Sequence, residues 1–196
     1  AKSGGGGRFR IFEPSMLVDN QQRLELDLAL RRALQAGEFV LAFQPIVGAD
    51  GQRIEAVEAL LRWNDPRRGL VAPGEFIPVL EQTGLIVPIG RWVLREACTQ
   101  VMHWRRQFPD SSPHGIAVNL SAPQLRQDDL VQRVRQSFEL HRVDASPFTF
   151  EITESVAMED TQATMRAFAQ LARAGVSLAI DDFGTGHSSL AYLRTL

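Results

Sequence analysis

The sequence predicts an α/β fold, and three observations carry that expectation. Two apolar runs, Phe39 to Val47 and Ile54 to Trp63, flank the turn Ala49-Asp50-Gly51 and read as an antiparallel hairpin. Beyond them, short apolar runs alternate with amphipathic stretches at helical spacing, the texture of strand–helix units. Polar residues fall at the ends of these strand runs or inside them, where an α/β fold gathers its chemistry.

Composition sets the limits. The 196 residues give room for one good-sized domain, and 44% hydrophobic with 22% charged residues describes a folded globular chain rather than a disordered or fibrous one. A formal charge of −2 excludes wrapping duplex nucleic acid by charge alone and leaves a small charged ligand open. Cys98 is the single cysteine, so neither an internal disulfide nor a thiolate metal site is available. No apolar run approaches the ~18 residues of a membrane span, and the Gly-rich start is unlike a signal peptide. The expectation is a soluble, cytoplasmic chain.

Residues 1–8, AKSGGGGR, read as a flexible connector, followed by a short apolar patch of Phe9, Ile11 and Phe12 that Pro14 stops. From Asn20 to Ala36, Leu24 and Leu28 form one track and Leu26, Leu30, Ala33 and Leu34 another, which predicts a helix closed by Gly37. The hairpin follows, its first strand interrupted by Gln44 and Pro45. Ile89, Trp92, Val93, Ala97, Val101, Trp104 and Phe108 mark a long amphipathic helix with Pro88 near its first turn. Then come a strand at Gly115 to Leu120, a helix at Asp128 to Leu140, a strand at Phe148 to Thr153, a helix at Thr161 to Ala174 and a strand at Val176 to Ile180. A last helix begins at Ser188 and runs to Leu196. That makes five strands, whereas a closed barrel of eight needs three more strand–helix units. The domain is therefore expected to be cut short at its C-terminal side.

The carboxylates carry the chemistry. Glu58 lies inside Ala56-Val57-Glu58-Ala59-Leu60-Leu61-Arg62-Trp63, and period two sets Glu58, Leu60 and Arg62 on one face. A buried lone carboxylate costs several kcal/mol, so Glu58 needs either an arginine or a cation. Asn119 ends the run Ile116-Ala117-Val118 and reads as a turn or cap residue as readily as a ligand. Glu151 sits in Phe148-Thr149-Phe150-Glu151-Ile152-Thr153-Glu154; Glu154, three residues on, suits either a surface or the bracing of a neighbouring loop. Asp181-Asp182 closes a strand before Phe183-Gly184-Thr185-Gly186, as an Asx-type turn or as a pair that cations neutralise. All-oxygen donors of this kind suit Mg²⁺ or Mn²⁺ and the hydrolysis of a phosphodiester. The four histidines, His103, His114, His141 and His187, show no metal-ligand spacing.

These residues resemble the EAL domain, the bacterial family of cyclic di-GMP phosphodiesterases. Glu58-Ala59-Leu60 supplies the family's name. The weight comes from Phe43-Gln44-Pro45-Ile46, Pro73-Gly74-Glu75-Phe76-Ile77-Pro78, Glu81-Gln82-Thr83-Gly84, Asn119-Leu120-Ser121, Glu151-Ile152-Thr153-Glu154-Ser155 and Asp181-Asp182-Phe183-Gly184-Thr185-Gly186, all in the family's order. The resemblance runs from residue 20 to the end. Residues 1–19, with Ala1-Lys2, the glycines and Arg8-Phe9, look like a linker from a preceding diguanylate-cyclase-type (GGDEF) domain. The resemblance thus implies a tandem parent protein, one that an upstream region could anchor to a membrane.

It further implies a TIM-type (β/α)8 barrel with an antiparallel first strand, here truncated after about five strands. The family hydrolyses cyclic di-GMP to linear pGpG with Mg²⁺ or Mn²⁺, as a pair of ions. By similarity Glu58, Asn119, Glu151 and Asp181 would ligate metal, Asp182 would reach the second ion, and Glu58, Asp181 and Asp182 would serve catalysis. Gln44, Leu60 and Arg62 would contact substrate, Arg62 by clamping a phosphate oxygen. Glu154 would brace the Asp181–Gly186 loop, which contributes to a homodimer surface, and His187 stands where the family more often has Tyr. A catalytic Lys and a late Glu would follow Leu196, and without them the isolated chain is expected to turn over very slowly at best. The alternatives are a non-catalytic cyclic di-GMP receptor and a regulatory dimerisation module.

Overall fold

A computed structural model describes residues 14–49, 51, 53–158 and 162–181 of the chain. Helix α1 (Pro14–Ala36) starts earlier than Asn20, with proline at its first position, where an absent N–H costs nothing. It ends at Gly37, whose φ of 69° is left-handed. Of the two leucine tracks, one turns to the core, with Leu30 and Ala33 fully buried and Leu26 and Leu34 partly so, whereas Leu24 and Leu28 face outward.

Strands β1 (Phe39–Val47) and β2 (Ile54–Asp65) form the expected antiparallel hairpin, pairing Phe39 with Trp63 and Gln44 with Glu58. The Asp65 carboxylate stops β2 by accepting the backbone N–H groups of Arg67 and Arg68 at 2.7 and 2.9 Å. The chain then doubles back as β3 (Gly69–Val71) against the end of β2. Helix α2 (Pro73–Thr83) buries Phe76, Val79 and Leu80, and α3 (Ile86–Gln107) buries Ile89, Val93, Ala97 and Val101. These helices meet the hairpin through an aromatic group in which Trp63 and Phe76 cross edge to face at 5.9 Å, with Phe39 at 6.3 and 6.1 Å from them.

Three parallel strands follow: β4 (Gly115–Asn119), β5 (Phe148–Thr153) and β6 (Ser177–Asp181). Between them run α4 (Ala122–Leu125), α5 (Leu130–His141), α6 (Glu154–Ala157) and α7 (Gln162–Arg173). The sheet order is β1-β2-β4-β5-β6, with β3 on β2, giving a mixed six-stranded sheet. The sixth strand, β3, and helix α2 are additions to the elements that periodicity predicts. The expected helix from Ser188 to Leu196 lies outside the described residues.

The two faces of the sheet differ because successive side chains point opposite ways. One face presents Val57, Ala59, Ile116, Val118, Phe150 and Ile152, all buried. Phe148 is buried with them and meets Phe138 of α5 at 4.7 Å between ring centroids. Each large side chain on this face stabilises the fold by about 1.5–3 kcal/mol. The other face carries Gln44, Glu58, Arg62, Asn119, Glu151 and Asp181. Among the described residues, no helix is long and apolar enough to cross a membrane.

Candidate functional site

Strand register brings the acidic residues together. Glu58 of β2 stands opposite Ala117 of β4, and Asn119 lies two positions on from Ala117, on the same face. Asn119 stands opposite Glu151 of β5, and Glu151 opposite Ala179 of β6. Asp181, two positions beyond Ala179 and opposite Thr153, completes the row. Four parallel strands thus each deliver one oxygen-bearing side chain to one face. From β1, Gln44 stands opposite Glu58, and Leu60 and Arg62 follow Glu58 on that face.

Asn119 Nδ2 donates to Glu58 Oε1 at 2.8 Å, which turns the amide oxygen of Asn119 away from the carboxylate. Arg62, the other partner that the sequence offered for Glu58, instead donates Nη1 to the Leu61 carbonyl at 2.9 Å. Among the described residues no ion pair joins Glu58 to Arg62. Burial pushes the Glu151 carboxyl up to about 7, helped by the negative charges of Glu58 and Asp181. That shift records three carboxylates within electrostatic reach of one another. A divalent cation among them would reverse it.

Asn119 is the last residue of β4, and the cap of the helix that follows is Ser121, so the cap alternative for Asn119 falls away. Glu154 opens α6 directly after β5 and is 8% exposed, which overturns its reading as a surface residue. Strand β5 ends at Thr153, which is why Glu151 and Glu154 are released to different surroundings. Asp182, the Phe183–Gly186 turn and His187 lie outside the described residues. Among the described residues, no group of three or more His, Cys, Asp or Glu side chains is close enough to hold a metal ion. His103 is exposed on α3, and the His141 ring lies against the Ser137 carbonyl of its own helix at 2.8 Å, in keeping with helix-surface roles.

Three residues of this face were not singled out from the sequence. Thr149 and Thr153 flank Glu151 on β5, and Ser177 stands opposite Thr149. The alternation of Phe148-Thr149-Phe150-Glu151-Ile152-Thr153 already held the signal, since period two places Thr149, Glu151 and Thr153 together.

A family model described as the EAL domain matches residues 27–196. Over 196 residues the chain is 45% identical to the bifunctional diguanylate cyclase/cyclic di-GMP phosphodiesterase MucR of Pseudomonas aeruginosa, covering 100% of this chain and 28% of MucR. It is 37% identical over 193 residues to the cyclic di-GMP phosphodiesterase PdeR of Escherichia coli, covering 98% of this chain and 29% of PdeR. The solved PaMucR phosphodiesterase, in complex with c-di-GMP, superimposes with a TM-score of 0.81 at 46% identity, covering 88% of this chain and 69% of that one. The chain spans between 23% and 31% of the length of the first curated relatives it matches.

Proposed function

The chain belongs to the EAL domain family, and from that premise we propose that it is the phosphodiesterase module of a longer protein, hydrolysing cyclic di-GMP to linear pGpG. The observation that carries this reading is the polar face of the sheet. Glu58 and Asn119 are joined at 2.8 Å, and Glu151 is raised to about 7 by its burial between Glu58 and Asp181. Carboxylates within electrostatic reach of one another gain by sharing a hard cation, and the donor set of carboxylate and amide oxygens fits Mg²⁺ or Mn²⁺. Glu58, Asn119, Glu151 and Asp181 would hold the first ion, and Asp182 a second. Bound ions supply an activated water and neutralise phosphate oxygens.

The chain's own groups do the positioning. Asn119 fixes the Glu58 carboxylate by donating to it, so one oxygen of Glu58 keeps a constant direction. Arg62, tethered through Nη1 to the Leu61 carbonyl, keeps its remaining N–H groups for a phosphate oxygen, a task its planar fork suits. Gln44, opposite Glu58, and Leu60, two residues further along β2, form the floor on which the nucleotide rests. Glu154 braces the loop after β6 from its buried place at the start of α6. The six-stranded sheet belongs to a TIM-type (β/α)8 barrel with β1 antiparallel, and residues 20–196 form the module. The parent carries a cyclase-type domain upstream and works as a homodimer. MucR, whose name pairs the two activities, supports the tandem arrangement.

The test is product analysis on the full-length parent. Cyclic di-GMP with Mg²⁺ or Mn²⁺ should yield pGpG, and Glu58→Ala should abolish that turnover while the far-UV dichroism is unchanged. Metal-independent binding of cyclic di-GMP without product would replace this reading with a receptor. No binding at all would leave only a dimerisation module.

A further inference from the structure

Behind β4, on the opposite side of the sheet from the acidic row, α3, α4 and α5 enclose a partly open cavity of about 50 Å³. Its wall is apolar where Leu94, Val118, Val134 and Phe150 meet, and charged where Arg91 of α3 joins Asp129, which caps α5, and Arg133 of α5. Two features set this place apart from an ordinary packing gap. The Nε atoms of both Arg91 and Arg133 are buried without a hydrogen-bond partner, and both arginines line the same cavity. Buried guanidinium N–H groups normally find acceptors, so two orphans in one cavity mark a place for an acceptor from outside the chain.

Charge and size narrow the occupant. The Asp129 carboxylate is paired with the Arg133 guanidinium and held below the usual carboxylate range, first by its hydrogen bond from Arg133 and further by the Arg133 and Arg91 charges. Two guanidiniums against one carboxylate leave a single positive charge, which suits a monoanion better than a phosphate dianion. A volume of about 50 Å³, against the ~10–15 Å³ that one water requires, accommodates three or four non-hydrogen groups, and the open side of the cavity leaves room for about two more. We propose that this cavity binds a short-chain carboxylate of three or four carbons, its acid group accepting from Nε–H of Arg91 and Arg133 and its tail resting on Leu94, Val118, Val134 and Phe150. Neither arginine belongs to the acidic row, so the site stands independently of the phosphodiesterase reading. Asn119 lines the same cavity, which puts the occupant next to a residue that holds Glu58.

Calorimetric titration of the full chain with sodium butyrate at fixed ionic strength tests this, with butylamine as the matched cation. Butyrate should bind saturably at one site and butylamine should not. Arg91→Met and Arg133→Met should each weaken butyrate about tenfold or more, the loss expected of one charged hydrogen bond. Arg91→Lys keeps the stem and charge while removing the guanidinium, and it decides the matter should the methionine variant not fold. Unsaturable heats, equal binding of butylamine, or unaltered affinity in the arginine variants would each overturn the proposal.

Discussion

Glu151 is half-buried on the sheet with Glu58 and Asp181 within electrostatic reach, and its pKa near 7 follows from that neighbourhood. In the unfolded chain the same carboxyl titrates near ~4.3. Between those values the folded state holds a proton that the unfolded state has released, so stability falls as pH rises from about 4.3 through 7. Glu151→Gln removes the charge for good. In the metal-free protein this variant should therefore unfold at higher urea than the wild type at pH 8, with the gap closing as pH drops towards 4. A wild type more stable than the variant at pH 8 would contradict the crowding. The same substitution deletes a proposed ligand, so the variant should gain stability and lose turnover together. Asn119→Asp makes the opposite change. It replaces the donor to Glu58 with a fourth acid, so its metal-free form should melt below the wild type at pH 8, and Mg²⁺ should narrow the difference.

Turns and caps decide which elements form, and Asp65 shows how much one of them can carry. Its carboxylate accepts two backbone N–H groups and lies 3.7 Å from the Arg68 guanidinium, whose carbon sits 4.7 Å above the Trp63 ring. Burial alone would raise its pKa, but the Arg67 and Arg68 N–H groups and their side-chain charges outweigh it and hold the carboxyl below its ordinary value. Asp65→Ala should destabilise the chain by about 1–2 kcal/mol at pH 7, as for the loss of a cap. Because the folded pKa is depressed, that difference should be present above the unfolded value near ~3.9 and vanish as pH falls through the folded one. Urea midpoints at pH 7 and pH 3 measure it. The sequence disclosed the β1–β2 hairpin because a turn signal joined two apolar runs, and it disclosed β4, β5 and β6 because each was an apolar run with a polar residue inside it or at its end. It hid β3 and α2. Three residues are too few to show alternation, and Pro73, Gly74 and Pro78 argue against a helix that Phe76, Val79 and Leu80 secure by burial. The carboxylates of the site were legible because Glu58 and Glu151 interrupt apolar runs. The bond from Asn119 and the burial of Glu154 were not, since both depend on how separate strands and helices come together.

Across the whole molecule, one apolar core and one polar face are built on the same strands, so anything that ties the polar face together must also resist unfolding. The acidic row spans β2, β4, β5 and β6, and its members come from residues 58 to 181 of the chain. A ligand bridging them would bind the folded chain and not the unfolded one. At a free concentration a hundredfold above its Kd, such a ligand adds about 2.7 kcal/mol. For a domain near 200 residues each kcal/mol is worth roughly 2–4 °C, so Mg²⁺ with cyclic di-GMP, or Ca²⁺ with it should hydrolysis interfere, should raise Tm by about 5–11 °C. Glu58→Ala should lose most of that rise, because it removes the group on β2 that the Asn119 amide orients. Phe76→Ala should lower Tm through a loss of about 3–5 kcal/mol in the aromatic cluster while leaving the ligand-induced rise intact, since Phe76 packs with Phe39 and Trp63 away from the row. Scanning calorimetry of the three proteins with and without ligand separates the two effects. Equal rises in the wild type and in Glu58→Ala would mean that the acidic face is not where the ligand is held.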